Sequence, residues 1–170
     1  MIDIKFKPEK NGLLINKENT LHVLLNISKE VEESPKEVER LPLNLSLVID
    51  RSGSMSGEPL DEAKKCASML VDRMNENDRL SVVTYESEAE VLLASQPVSH
   101  KERFKSQINS IRSGGMTALY DGWSLGAEEV AKTSKGNFIS RVLLLSDGQA
   151  NQGLTDYDVI ATHCQTMAEA

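Results

Sequence analysis

Three short segments of this chain concentrate residues whose types and spacing suit chemistry: Asp50-Arg51-Ser52-Gly53-Ser54, Gly114-Gly115-Met116-Thr117 and Ser146-Asp147-Gly148. Between them, Asp50, Ser52, Ser54, Thr117 and Asp147 supply two carboxylates and three hydroxyls, with no cysteine or histidine nearby. All are hard oxygen donors, a set that suits Mg²⁺, Mn²⁺ or Ca²⁺ and is wrong for zinc or copper. Asp50, Ser52 and Ser54 alternate, so an extended or gently turning loop points all three side chains the same way. Gly53 and the Gly114-Gly115 pair let backbone approach an ion with no Cβ in the way. Five side chains do not close a cage around an octahedral cation, and neutral hydroxyls quench little of its charge. An external carboxylate is the natural sixth ligand.

The elements that must position these residues can be read from the pattern around them. From Leu41 onward the chain reads strand, helix, strand, strand, helix, helix, strand, helix. Leu43, Leu45, Leu47, Val48 and Ile49 form a strand whose second half is apolar on both faces, as inside a parallel sheet covered by helices. Pro59 falls at a helix N1 position with Asp61 and Glu62 as dipole partners. Leu60, Ala63, Ala67, Leu70, Val71 and Met74 then keep helical spacing. Cys66 lies beside that stripe and reads as a small core hydrophobe. Strands over Arg79–Tyr85 and Glu90–Ala94 follow. Next come a short helix marked by Phe104, Ile108 and Ile111, a second from about Ala118 to Lys132, an apolar strand over Arg141–Leu145, and a helix within 156–170. The fold class is α/β: a Rossmann-like, largely parallel sheet flanked by helices. In such sheets ligands bind beyond the carboxyl ends of the strands, where two of the three donor segments fall and to which the third is delivered.

The first forty residues have a different texture. Ile2–Lys7 alternates apolar and charged residues, Asn11-Gly12 signals a turn, and Leu21, Val23, Leu25 and Ile27 repeat at period two. The run from Lys29 to Arg40 is mostly Glu, Lys and Pro, an exposed connection. Residues 1–40 are therefore expected to be an N-terminal β appendage and linker, and 41–170 the main domain. Two or three strands alone are marginal in water, so the appendage must pair with something.

Asp50-x-Ser52-x-Ser54, Gly-Gly-Met-Thr117 and Leu-Ser-Asp147-Gly, in this order, resemble the von Willebrand factor A domain with its metal-ion-dependent adhesion site. The resemblance runs from about Leu43 to Ala170. The N-terminal strands and the wording Leu-Asn-Leu-Ser-Leu-Val-Ile-Asp-Arg-Ser-Gly-Ser-Met are similar to bacterial members described as calcium-activated chloride channel-like. The resemblance implies that Ser52, Ser54 and Thr117 bind the metal directly, with Asp50 and Asp147 as charge-bearing supports acting largely through water or by a state-dependent direct bond. It also implies a partner protein that supplies an Asp or Glu carboxylate. Members of the family have six strands in the order 3-2-1-4-5-6 and two further helices, whereas four major strands are legible here. The expectation is a domain incomplete on its C-terminal side, whose sheet edge is either bare, and then an association site for copies of the chain, or covered by a partner or by the N-terminal strands.

Plainer roles compete. Ser52, Ser54 and Thr117 are each suited to capping a helix, and Asp147-Gly148 alone is an ordinary turn. Arg51 reads as solvent-facing, Tyr120 and Trp123 as packing anchors, and His22, His100 and His163 as incidental. Enzyme patterns fail on inspection. A phosphatase of the aspartyl-phosphate type needs an acid where Ser52 stands. The hydrolase elbow Gly-x-Ser-x-Gly has Met55 at its centre, and an EF-hand loop from Asp50 has Met55 at position six and Asp61 at twelve. A net charge of −7, from 19 basic and 26 acidic residues, disfavours nucleic acid and anionic lipid. The 170 residues are 39% hydrophobic and 26% charged, a folded composition, and no apolar run nears the ~20 residues of a membrane span. Two cysteines are too few for a disulfide framework, and no signal-peptide layout is visible near Met1. The sequence thus predicts a metal-dependent protein-binding module and no enzyme. The alternatives are a metal-independent structural or assembly subunit and a metal-assisted phosphohydrolase.

Overall fold

The computed structural model describes residues 2–8, 23–29, 40–133, 137–148 and 150–168. The chain divides into two compact units, Met1–Glu39 and Arg40–Ala170. In the first, β1 (Ile2–Pro8) and β2 (Val23–Lys29) pair antiparallel, with Ile4 opposite Ile27 and Phe6 opposite Leu25. The Asn11-Gly12 turn, His22 and most of the acidic connector lie outside the described residues.

In the second unit, β3 (Leu43–Asp50), β4 (Arg79–Tyr85), β5 (Ala89–Pro97) and β6 (Ile139–Leu145) form one sheet in the order β5-β4-β3-β6. Both neighbours of β3 run parallel to it, and β5 is antiparallel to β4. The helices are α1 (Glu58–Arg73), α2 (Lys101–Ser110), α3 (Leu119–Ala131) and α4 (Tyr157–Ala168). The mixed α/β architecture read from the sequence is the one observed. The strand expected over Glu90–Ala94 extends to Ala89–Pro97.

Strand period and helix period together explain the two cores. Leu45, Leu47 and Ile49 of β3, with Leu80 and Val82 of β4, point to one face. There they meet Leu60, Ala63, Ala67 and Val71 of α1 and Phe104 and Ile108 of α2. The intervening Val48, Val83 and Tyr85 point to the other face, toward Leu119 of α3 and Ile160 of α4. A strand covered on both sides is buried on both faces, and residues 44–50 are accordingly all buried, the polar Asn44, Ser46 and Asp50 among them. Cys66 does not join this core; it is exposed. It stands one residue, about 100° of helix rotation, from buried Ala67, which turns it off the sheet-facing stripe.

Helix α3 lies unusually close to the sheet because two glycines, four residues apart, face it. A Cβ on Gly126 would fall 2.4 Å from Val48 Cγ2, and one on Gly122 would fall 2.4 Å from the Tyr85 ring. One turn further on, buried Glu129 accepts a hydrogen bond from the Ser95 amide of β5 at 2.9 Å and pairs with Lys132. At the same end of the sheet, just before β4, Asp78 is fully buried and accepts from Arg40 at 2.5 and 2.8 Å. It also accepts from the Leu43 and Asn75 amides, each at 2.8 Å. Burial alone would raise this carboxyl. The bonds from Arg40 and the two amides outweigh it and hold Asp78 below the usual carboxylate range. On the outer side of β6, Ile139, Leu143 and Leu144 are exposed.

Candidate metal centre at the carboxyl ends of the strands

Asp50 is the last residue of β3, fully buried, and its carboxylate is held by three donors from three segments. The Ser52 amide donates to Oδ1 at 2.9 Å. The Tyr85 phenol, at the end of β4 and directly across from Asp50 in the ladder, donates to Oδ2 at 3.0 Å. The Ser146 hydroxyl, just past β6, donates to the same Oδ2 at 2.8 Å. Burial pushes the Tyr85 phenol far above its ordinary value; a hydrogen bond with Ser146 opposes this, and the charge and hydrogen bond of Asp50 add to the rise. The phenol therefore keeps its proton and acts as the donor.

The other predicted residues arrive at the same edge. After Asp50 the chain turns through a 3₁₀ turn, Gly53–Met55, which brings the Ser52 and Ser54 hydroxyls to 3.2 Å from each other. The loop carrying Thr117 is stitched to this turn by two backbone hydrogen bonds, Gly114 N to Arg51 O at 2.8 Å and Gly53 N to Gly115 O at 3.1 Å. Gly115 has φ +71, and a Cβ there would fall 1.5 Å from Glu86 Oε2, so only glycine fits. Thr117 itself is buried, with its amide donating to Asn151 Oδ1 at 2.8 Å and its carbonyl accepting from the Asn151 and Gln152 amides. Asp147 follows Ser146 directly and is exposed. The five predicted residues thus reach one edge from three loops. Ser52 and Ser54 touch each other, while Thr117 and Asp147 are brought in through the bonds made by their loop neighbours.

No helix cap consumes these hydroxyls. Ser52 precedes the 3₁₀ turn without a side-chain cap, α1 is preceded by Gly57, and α3 is preceded by Ala118. Arg51 does not face solvent freely. Its guanidinium reaches Glu86 at 3.3 Å and Glu90 at 3.6 Å, so it is ion-paired beside this edge.

The donor set can be tested against the ions it suggests. Cis ligands of an octahedral ion with bonds of about 2.0–2.1 Å lie about 2.8–3.0 Å apart, and for Ca²⁺ the same edge is about 3.3–3.7 Å. The Ser52–Ser54 separation of 3.2 Å falls between these values. Among the described residues no three His, Cys, Asp or Glu side chains cluster as a metal site, so the hydroxyls are needed for any cation bound here.

Sequence reasoning missed Tyr85, Ser146, Glu86 and Asn151. Tyr85 had a usable signal, since it ends the strand that neighbours β3 in parallel and so opens onto the same edge. Asn151 had none; its role depends on how the loop after β6 returns to Thr117.

The sequence model of the von Willebrand factor type A domain matches residues 44–167. The chain belongs to that family. The uncharacterized protein sll0103 of Synechocystis is 41% identical over 117 residues, covering 69% of this chain and 28% of its own length. YfbK of Escherichia coli is 32% identical over 154 residues, covering 89% of this chain and 26% of its own. The chain therefore spans about a quarter of the length of these relatives. Among solved structures, the vWF domain of the type V pili tip protein Mfa5 from Porphyromonas gingivalis aligns with TM-score 0.57 at 23% identity. That alignment covers 69% of this chain and 43% of the other. Proximal thread matrix protein 1 of the mussel byssus, whose MIDAS motif is occupied by zinc, aligns with TM-score 0.62 at 20% identity, covering 74% and 36%. At these identities the two structures establish the shared fold.

Proposed function

We propose that this chain is a protein-binding module of the adhesion or assembly type. In this reading a divalent cation is held by Ser52, Ser54 and Thr117, with Asp50 and Asp147 as charged supports. Bound there, the cation supplies an electron-poor coordination position for an Asp or Glu carboxylate from a partner. The observation that supports the reading is that the Ser146 loop bonds to Asp50 and the Gly114–Thr117 loop bonds to the turn after it, where two hydroxyls lie 3.2 Å apart. The hydroxyls of buried Ser52 and exposed Ser54 meet at the turn. Asp50, its own oxygens engaged by protein donors, contributes charge from behind. Relatives of the fold include a domain of a pili tip protein and a thread matrix protein of the mussel byssus, which supports an interaction role. Mg²⁺ or Mn²⁺ is the favoured ion by donor chemistry, with Ca²⁺ next. The zinc-occupied relative makes Zn²⁺ a necessary comparison.

Calorimetric titration of Mg²⁺ into the chain and into Asp50→Ala tests this. Saturable heat in the first and its loss in the second is expected. Equal heats in both, or none in either, overturn the cation site.

One observation favours a second reading, an assembly subunit that uses the fold without metal. Asp50 is fully satisfied by protein donors, and β6 presents Ile139, Leu143 and Leu144 on its outer side as a surface for self-association or a partner. Partner binding or oligomerisation unchanged by a chelator favours this reading over the first.

A further inference from the structure

Nothing in the Asp-x-Ser-x-Ser pattern requires an aromatic hydroxyl, yet the buried Tyr85 phenol is aimed at Asp50. Its ring is fixed from the far side: α3 approaches so closely that a Cβ on Gly122 would stand 2.4 Å from Tyr85 Cδ1 and 2.6 Å from Cγ. The phenol and the Ser146 hydroxyl both end on Oδ2, at 3.0 and 2.8 Å, while the Ser52 amide occupies Oδ1. A carboxylate with three protein donors is a weaker metal donor than a bare one, because each hydrogen bond draws off charge and fixes the rotamer. Such a carboxylate also needs no cation to remain buried.

We propose that Tyr85 is a positioning residue of the cation site, pinning Asp50 so that it supports the cation as a partly neutralised charge and leaves the cation's remaining electron deficiency for an incoming carboxylate. The proposal rests on the cation site set out above. It carries a consequence opposite in sign to that of a merely structural role. Removing the phenol oxygen leaves the Asp50 carboxylate with one donor fewer on Oδ2, so a cation then stabilises the site more than it does in the wild type.

Tyr85→Phe keeps the ring against Gly122 and removes only the donor. Its affinity for Mg²⁺, measured by calorimetry, is expected to rise roughly threefold to tenfold. Its melting temperature is expected to fall in EDTA and to recover more on Mg²⁺ addition than that of the wild type. With Mn²⁺ as probe, water-proton relaxation reports whether Asp50 has moved into direct coordination, as one fewer exchangeable water per ion. Weaker or unchanged Mg²⁺ affinity in Tyr85→Phe, with equal loss of stability in EDTA and in Mg²⁺, overturns the proposal and leaves Tyr85 a packing residue. Ser146→Ala, which removes the other donor to the same oxygen, is expected to shift affinity in the same direction and serves if Tyr85→Phe does not fold. No Mg²⁺ binding by the wild type defeats the cation site and this proposal with it; binding by the wild type with no gain in either variant defeats this proposal alone.

Discussion

Gly122→Ala isolates the close approach of α3 to the sheet. The added Cβ would stand 2.4, 2.6 and 3.0 Å from Cδ1, Cγ and Cβ of Tyr85. Ordinary carbon contacts begin near 3.5 Å, so the overlap is about an ångström. Tyr85 is a rigid ring with no exposed surface and a hydroxyl bonded to Asp50, so it has nowhere to turn. The helix must lift or the ring must slide, an overpacking cost of about 1–3 kcal/mol, here at the upper end. Alanine gains about 1 kcal/mol over glycine in a helix interior, which offsets part of that. The net loss is about 1–2 kcal/mol, or a melting temperature lower by roughly 4–8 °C for a domain of this size. Urea denaturation with the slope held constant measures the first figure, and a thermal scan the second. A Gly122→Ala protein as stable as the wild type or more so would refute the argument, since helix propensity would then be the only effect in play.

Other consequences are checked as directly. Asp78→Asn removes the charge that Arg40 and two backbone amides converge on, and is expected to cost about 2 kcal/mol at neutral pH. Because the folded carboxyl lies below its unfolded value of about 3.9, its contribution is fully present above that pH and is lost as the pH falls through the folded value. The gap between wild type and variant in denaturant midpoint should therefore close in acid, and a gap independent of pH contradicts the assignment. Cys66 is exposed, whereas Cys164 is half-buried and its thiol is pushed up by burial. A thiol reagent under native conditions is expected to label Cys66 first and Cys164 in a slower phase, and the reverse order would contradict the register of α1.

Much of the fold was legible because its signals are local. The period-two apolar positions of β3 and the three-four spacing of α1 identify both elements without reference to anything distant. The donor residues were legible for a related reason: Asp50, Ser52 and Ser54 sit within five residues, and the loops bearing Thr117 and Asp147 each follow a recognisable break. What could not be read is what depends on approach between elements. The glycines at 122 and 126 lower helix propensity, and only the packed structure shows that they let α3 settle on Val48 and Tyr85. The Tyr85–Asp50 bond requires knowing that β4 lies beside β3 in register. Arg51 read as solvent-facing because its partners, Glu86 and Glu90, are more than thirty residues away in sequence. Cys66 was misjudged on a single step of helix phase.

The most direct test of the central claim is paramagnetic broadening of amide resonances by substoichiometric Mn²⁺, read across the whole labelled chain. The account predicts that signals from Ser52 to Ser54, Gly114 to Thr117 and Ser146 to Gly148 vanish together, are restored by excess Mg²⁺, and are unaffected by Mn²⁺ in Asp50→Ala. Broadening centred on the exposed acids of α1 and α2, or spread along the surface without focus on these three loops, would contradict it.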